Sequence, residues 1–271
     1  MGGFEVMQGS LGRYWFPVDS TDRSTWEIAY EGQLVYSVSD GVANLGQASG
    51  ASDTSGKKIP LGPIVGVNAA APTYNSTYKG LQITQSDPHS PTAEFRLQGG
   101  SGLWPVNDPC AYVLVDVIGP QTVLKGRIFN ATYGTAITVG TVSTASTTGA
   151  GFTSTACCDV AGIADLSTVY CRSGANRGIY RITSDTSTTV KTVTQYFPFD
   201  IAVGDTFVGV PMRPYGPSYV QTDAEATFFN SAATPATNYW HINVLKLDLS
   251  EAGNEYVIFT FGADHFTLNR A

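Results

Sequence analysis

Acidic side chains at short spacing are the first candidates for catalysis in this sequence. Asp248 and Glu251 flank a turn and Glu255 follows it, whereas Asp116 lies inside the apolar run 112–118. Two carboxylates about 5 Å or 7–9 Å apart suit glycoside hydrolysis when one of them has a raised pKa. The neighbouring residues place none of these carboxylates in an environment that raises its pKa. We therefore expect Asp248 and Glu251 to be solvated turn residues, and we expect no catalytic residue.

Histidines and glycine-rich segments offer no assembled motif. His89, His241 and His265 lie alone in unrelated segments, and the nucleophile motif G-x-S-x-G does not occur. His241 follows Trp240, so we expect a packed or interface histidine there rather than a general base. The segment 99–102 (GGSG) lacks the G-K-[ST] continuation of a phosphate-binding loop and is predicted to be a turn.

Four cysteines, Cys110, Cys157, Cys158 and Cys171, are too irregularly spaced for a zinc site. A Cys158–Cys171 bridge across a hairpin is geometrically possible. The N-terminus has no basic and apolar leader, however, and a leaderless chain is made in a reducing compartment. We therefore expect small buried thiols, no metal and no cofactor.

The charge balance argues against two classes of partner. The net charge is −7 and the pI is about 4.8, whereas a nucleic-acid surface needs clustered Lys and Arg. Arg172, Arg177 and Arg181 form a local basic group, but Asp165 and Asp185 flank it. No run approaches the ~18 apolar residues of a membrane span. We expect neither nucleic acid nor membrane as a partner.

Short apolar runs between turn formers dominate the chain. Thr, Val and Tyr are abundant, and charged residues make up only 14%, which favours β-structure. Gly204-Asp205 is predicted to be a turn, with Asp205 bonding nearby backbone. Strands are predicted over 33–38, 64–67, 111–118, 123–129, 177–183, 188–193, 206–210, 240–249 and 256–261.

Helical periodicity is nearly absent. Residues 223–231, with Asp223 as cap, are predicted to form two helical turns, and 159–168 is a weaker candidate. The fold class that follows is all-β: an antiparallel sandwich or barrel domain with an additional β module, an extended N-terminal arm and very little helix.

Composition also indicates the domain organisation. Residues 1–30 form an arm rich in glycine and aromatics, and 31–135 together with 213–271 form the main β domain. Residues 136–157 are almost purely small and polar, and they open an inserted or appended β module over 136–212.

Aromatic residues are the candidates for contact. They suit a sugar-binding face or a subunit interface, and the sequence does not separate the two. The apolar segment Arg13 to Pro17 is expected to pack on this chain or on a neighbour. The candidate interface residues are Arg13, Tyr14, Trp15, Phe16, Trp26, Trp240 and His241.

Two segments resemble structural proteins of tailed bacteriophage virions. Residues 173–183 (SGANRGIYRIT) lead to Phe197-Pro198 and Gly204-Asp205-Thr206-Phe207. This is similar to a β module in which a Gly-x-x-Arg-x-Ile strand precedes a Gly-Asp-x-Phe strand. The segment 58–67 (KIPLGPIVGV) resembles a strand of head-decoration proteins. The resemblance covers about 90 residues.

The resemblance implies a non-enzymatic capsid decoration, or cement, protein. Such a protein is made in the host cytoplasm, binds the major capsid protein on the capsid exterior and bridges capsomers, commonly as a homotrimer. An acidic chain with few lysines agrees with a permanent interface away from packaged DNA. Deleting residues 2–17 is expected to abolish capsid binding and to leave the fold intact.

Two alternatives belong to other classes. A phage tail fibre, spike or receptor-binding protein would bind carbohydrate and be present in few copies. A sugar- or peptide-cleaving enzyme would lose turnover when one carboxylate is replaced, as in Asp248→Asn.

Overall fold

The chain is described by a computed structural model in which most of the described residues form short strands. Twenty strands and one 3-10 turn, Ala263–His265, lie in the described ranges, and no α-helix lies there. The predicted all-β class is confirmed. By its internal contacts the chain divides into two compact units, residues 1–124 with 224–227 and 263–271, and residues 125–223 with 228–262. The structure describes residues 3–17, 28–38, 41–44, 60–68, 83–85, 94–97, 112–145, 151–157, 167–185, 190–193, 196–223, 226–233 and 240–266.

Two antiparallel sheets belong to the first unit. The apolar strand Tyr112–Val117 lies inside the larger sheet, where Val113 and Val115 are fully buried. Strand β1 is Glu5–Gln8. The larger sheet consists, in order, of β2 (Gly12–Pro17), β9 (Tyr112–Val117), β6 (Pro60–Asn68), β4 (Leu34–Val38) and β5 (Gly41–Asn44). The smaller sheet consists of β3 (Ile28–Tyr30), β8 (Glu94–Leu97) and β7 (Ile83–Gln85).

A closed six-stranded barrel forms part of the second unit. Its strands pair antiparallel, and the first and last strands of the order given next close the ring, with Val139 opposite Val208. The order around the barrel is β11 (Val139–Thr144), β12 (Gly151–Ser154), β15 (Val190–Val193), β14 (Gly178–Asp185), β13 (Thr168–Cys171) and β16 (Thr206–Val210). Closure removes the exposed edges that an open sheet of small polar strands would present.

Aromatic residues fill the barrel interior. Phe152 stacks on Phe207 with ring centroids 4.1 Å apart, and Phe197 meets both rings edge-on. Small side chains surround the rings, among them Cys157 and Cys171. Because the small polar stretch at 136–157 contributes only Val142, Phe152 and Cys157 to this core, most of the barrel's apolar filling comes from residues further along the chain.

The other sheet of the second unit is antiparallel and has one buried face. Trp240, Phe259 and Phe261 lie on that face, because inward residues alternate with outward ones along each strand. The order is β10 (Val123–Phe129), β20 (Tyr256–Phe261), β19 (Trp240–Asp248) and β17 (Gly216–Val220), and β18 (Phe229–Asn230) pairs parallel to β10.

A buried ion pair links the barrel to this sheet within the second unit. Arg172, directly after β13, pairs with Glu255, whose side chain is 1% exposed. The Arg172 Nε also donates to the Leu249 carbonyl at 2.8 Å. Both partners belong to the β19–β20 hairpin, so one guanidinium fixes that hairpin against the end of β13.

The helix predicted over 223–231 is wrong. Ala226 has a positive φ of 55°, which a right-handed helix does not allow, and Phe229–Asn230 forms β18. Asp223 does not cap a helix. Its carboxylate accepts a hydrogen bond from the Phe228 amide at 3.0 Å. In the weaker candidate, Thr168 belongs to β13, and residues 159–166 lie outside the described part.

The predicted domain boundaries remain predictions. All six barrel strands lie inside 136–212, and the contacts group them with the neighbouring sheet in the second unit. The N-terminal segment is more integrated than an arm. Strand β2 pairs with β9 over six residues, and Phe4 is 2% exposed. Deleting residues 2–17 would remove β2 and leave one edge of β9 unpaired, so the deletion would remove contacts within the fold as well as exposed side chains, and its effect stays a prediction.

Candidate interaction surfaces

Strand β2 presents part of the predicted interface to solvent. Tyr14 is 55% exposed, the Arg13 side chain is 65% exposed, and Phe16 is half-buried. The side chain of Trp15 and the whole of Trp26 lie outside the described part of the chain. Leu11, directly before this strand, is also strongly exposed. An edge strand with these side chains is a surface on which a neighbouring protein can pack.

A buried carboxylate holds this surface in place. Asp116 is 6% exposed and accepts a hydrogen bond from the Ser10 hydroxyl and one from the Arg13 Nε, the latter at 3.3 Å. The Arg13–Asp116 pair lies at directly opposed positions of β2 and β9. Because Arg13 is largely solvated, the ion pair adds only about 0–1 kcal/mol, and its main effect is to fix the register of the edge strand.

The other two predicted interface residues lie in the second unit and have different environments. Trp240 is fully buried and packs edge-on against Phe261 at 5.9 Å, so it is a core residue and not a contact residue. A tryptophan at the start of a strand gave no indication of which face it would occupy. His241 is half-buried, and its ring lies 5.2 Å from that of Tyr219.

Two loops at one end of the barrel are locked together, and we call them the loop platform: residues 173–177 and 196–205. The buried Asn176 makes the lock. Its Nδ2 donates to the carbonyls of Phe199 at 2.9 Å and Asp200 at 3.3 Å, and its Oδ1 accepts from the Phe199 amide at 3.0 Å. One side chain therefore satisfies three backbone groups of the facing loop.

Further contacts fix the base of the loop platform. Asp205 is 8% exposed and accepts from the Ala202 amide at 3.0 Å, which confirms that it bonds nearby backbone. Gly174 has a φ of +81°, and a Cβ there would lie 2.2 Å from Asp205 Oδ1. Only glycine fits at this approach. The Ser173 hydroxyl accepts from the Thr206 amide at 2.9 Å.

Apolar side chains project from this locked backbone. Phe199 is 59% exposed and Val203 is 65% exposed, and Tyr196 is exposed beside them in the same loop. Phe197 and Ile201 of the same loop are buried in the barrel core. Each exposed side chain therefore stands on a backbone anchored by a buried neighbour, and ordering it for binding costs little entropy.

The thiol of Cys171 lies beneath the loop platform, and its raised pKa keeps it protonated near neutral pH. Burial, together with the nearby Asp205 carboxylate, raises the pKa of Cys171 to about 11, and the thiol donates a hydrogen bond to the Ser173 carbonyl at 2.9 Å. The Cys158–Cys171 bridge that the sequence allowed does not form, since Cys171 is a free thiol; Cys158 itself lies outside the described part. The expectation of small buried thiols is confirmed for Cys157 and Cys171.

The acidic residues considered for catalysis take structural roles. Asp248 accepts hydrogen bonds from the Ser250 hydroxyl at 2.6 Å, from Lys246 Nζ at 3.1 Å and from the Tyr256 hydroxyl at 3.2 Å. The hydrogen bond from Ser250 is the largest cause that lowers the pKa of Asp248 to about 2. Glu251 bonds Asn254 within the turn at 2.8 Å. A carboxylate held ionised in this way is unsuited to donate a proton near neutral pH.

In the described ranges, no three His, Cys, Asp or Glu side chains converge to hold a metal ion. No helix of those ranges is long and apolar enough to cross a membrane.

The residues that define the loop platform were not predicted. Asn176, Phe199 and Val203 were not among the candidates, although Asn176 lies in a segment that carries the resemblance and the other two lie between two such segments. A signal was present, because Phe199 and Val203 are apolar residues between Pro198 and the Gly204 turn, where loops are usually polar. The asparagine carried no signal, since its partners lie 23 and 24 residues away in the sequence.

Comparison of the chain with models of protein families, with curated proteins and with solved structures finds no match.

Proposed function

We propose that this chain is a non-enzymatic structural protein of a tailed-phage virion. In this proposal it is a capsid decoration, or cement, protein that binds the major capsid protein on the outer surface of the shell. It stabilises contacts between capsomers and acts as a homo-oligomer, which we propose is a trimer.

The observation that carries the proposal is the loop platform. Phe199 and Val203 are exposed apolar side chains on a backbone that Asn176 fixes. Interfaces draw most of their binding energy from a few such rigid anchors, and aromatic residues are enriched among them. The segments with the virion resemblance, 173–183, Phe197-Pro198 and Gly204 to Phe207, also contribute to the platform and its base.

The edge strand β2 supports the proposal independently. Its exposed Tyr14 and the adjacent Leu11 lie on a strand whose register the Asp116 contacts fix. An edge strand can add hydrogen bonds to a strand of a neighbouring protein, which suits a layer that links many subunits.

The experiment that tests the proposal is rebinding to capsids that lack this chain. The double variant Phe199→Ala/Val203→Ala removes two exposed side chains and should keep the fold, because neither belongs to the core. We expect its capsid affinity to fall by about 10-fold or more, in line with the loss of a hot spot.

Tyr215→Ala is the matched control, because Tyr215 is a 73% exposed aromatic residue outside the loop platform. We expect its capsid affinity to equal that of the wild-type protein. Equal binding by the double variant would remove the platform from the proposal, and failure of the wild-type protein to bind any capsid would remove the decoration function.

A further inference from the structure

The sheet of the second unit has a second face that differs from its buried face. Its side chains alternate along the strands with the core residues and are half-buried or exposed. We call this the outer sheet face. Its main side chains are Lys125 of β10, Tyr219 of β17, His241, Asn243 and Lys246 of β19, and Tyr256 of β20.

Two ammonium groups lie around one aromatic ring on this face. The Nζ atoms of Lys125 and Lys246 are 4.9 Å and 5.3 Å from the centroid of the Tyr256 ring. Lys246 Nζ also donates to the Tyr256 hydroxyl at 2.9 Å. These contacts hold both ammonium groups close together on the sheet.

A second aromatic pair lies further along the same face. Tyr219 and His241 occupy directly opposed positions of β17 and β19, and their ring planes differ by 31°. Asn243 lies two residues from His241 and opposite Thr260, so an amide and a hydroxyl side chain lie beside the rings. The face therefore combines cations, aromatic rings and uncharged hydrogen-bonding groups on one surface.

The charge of this face is opposite to that of the chain. Among the described side chains that β10, β17, β19 and β20 contribute to it, Lys125, Arg127 and Lys246 outnumber one acid, Asp248, which pairs with Lys246 at 3.1 Å, whereas the whole chain has a net charge of −7. The ligand that it complements is anionic. Duplex nucleic acid is a dense polyanion with a charge about every 1.7 Å. The acidic remainder of the protein would repel it more strongly than a polymer with about one charge per sugar.

We propose that the outer sheet face binds an anionic polysaccharide whose sugars carry carboxylates. The lysines pair with the carboxylates, the tyrosine rings contact the apolar faces of the sugars, and Asn243 bonds hydroxyl groups. An extended acidic peptide is less suited, because such segments bind by pairing with a sheet edge and this is a sheet face. The inference does not depend on capsid binding.

The test is calorimetric titration of the whole chain with polygalacturonate, with neutral dextran, polyglutamate and oligothymidine as comparison probes. We expect binding of polygalacturonate that weakens as salt is raised, and weaker or no binding of the other three. The double variant Lys125→Ala/Tyr219→Ala should lose about 10-fold or more in affinity.

Arg177→Ala is the matched control, because it removes one positive charge from an exposed loop of the barrel. It should bind within about 2-fold of the wild-type protein. Thermal unfolding of each variant confirms that the fold is kept, and Lys125→Ala alone serves if the double variant unfolds. The proposal is overturned if polygalacturonate does not bind, if dextran, polyglutamate or oligothymidine binds as tightly, or if the variant and the control bind equally.

Discussion

Asn176 and Phe199 are joined by a reciprocal pair of hydrogen bonds: Asn176 Nδ2 donates to the Phe199 carbonyl at 2.9 Å, and the Phe199 amide donates to Asn176 Oδ1 at 3.0 Å. The buried side-chain amide of Asn176 therefore makes the hydrogen bonds between the two loops that backbone groups make between paired strands. The exposed ring of Phe199 stands on this connection, so the presentation of the loop platform depends on one polar side chain.

Replacing Asn176 should loosen the loop platform. In Asn176→Ala, the Phe199 amide and carbonyl lose their partner, and we expect a loss of about 1–3 kcal/mol in the free energy of unfolding. Asn176→Asp keeps the acceptor but loses the donor, so it should be destabilised as well. Urea denaturation measures both variants, with Ser143→Ala on the exposed side of the barrel as control. A stability of Asn176→Ala equal to the wild-type value would show that the lock is unimportant.

Breaking the Arg172–Glu255 pair should be more costly. Arg172→Met leaves the Glu255 carboxylate buried without its cation, and we expect a loss of about 3–5 kcal/mol. The double variant Arg172→Met/Glu255→Leu removes both charges and should recover most of that loss. Urea denaturation of the single and double variants measures the coupling, and Arg177→Met controls for loss of an exposed guanidinium. Additive losses in the double variant would contradict the account.

Cys171 should be unreactive in the folded protein. With a pKa of about 11, its thiolate fraction at pH 8 is small, and alkylation should be on the order of 100-fold slower than in the unfolded chain. Mass spectrometry of peptides after iodoacetamide treatment reads Cys171 separately from the other cysteines. Because the pKa of Cys171 is higher in the folded state, the thiol of the unfolded chain ionises at a lower pH. The free energy of unfolding therefore falls as the pH rises above the ordinary pKa of a cysteine. Equal alkylation rates in the folded and unfolded protein would refute the burial argument.

Asp248 should make the β19–β20 hairpin sensitive to acid. Its pKa is lowered to about 2, first by the hydrogen bond from Ser250, so its contribution to stability is complete above its unfolded pKa. That contribution is lost as pH falls from about 4 toward 2. Carboxyl chemical shifts followed by NMR give the pKa directly. In Asp248→Asn the unfolding midpoint should change less between pH 4 and pH 2 than in the wild-type protein, whereas Glu251→Gln should behave as wild type. A measured pKa near 4 would exclude this role for Asp248.

Local sequence patterns predicted many of the strands but few of the residues that form the interaction surfaces. Val123–Phe129, Thr206–Val210 and Tyr256–Phe261 are strands with the predicted bounds, because apolar residues alternate or cluster between clear turn formers. The Gly204 turn is also as predicted, with a φ of +97°. These features depend on neighbours in the sequence, so a single sequence contains the information.

Features that depend on distant partners were not predicted. The burial of Trp240 depends on which face of β19 turns to the core, and the role of Asn176 depends on a loop 23 residues away. Ala226 differs, because the contact around it is local: the Phe228 amide donates to the Asp223 carboxylate, and Ala226 between them has a φ of 55° although alanine favours a helix.

The measurement that tests the central claim most directly is the number of copies of this chain in virions purified from its source, counted by quantitative mass spectrometry against the major capsid protein. A capsid decoration protein predicts copies on the order of hundreds per particle, in a fixed ratio to the capsid protein, because each capsomer contact offers a binding position. A handful of copies would contradict the account and assign the chain to a tail fibre or spike, and complete absence from the virion would remove the structural function altogether.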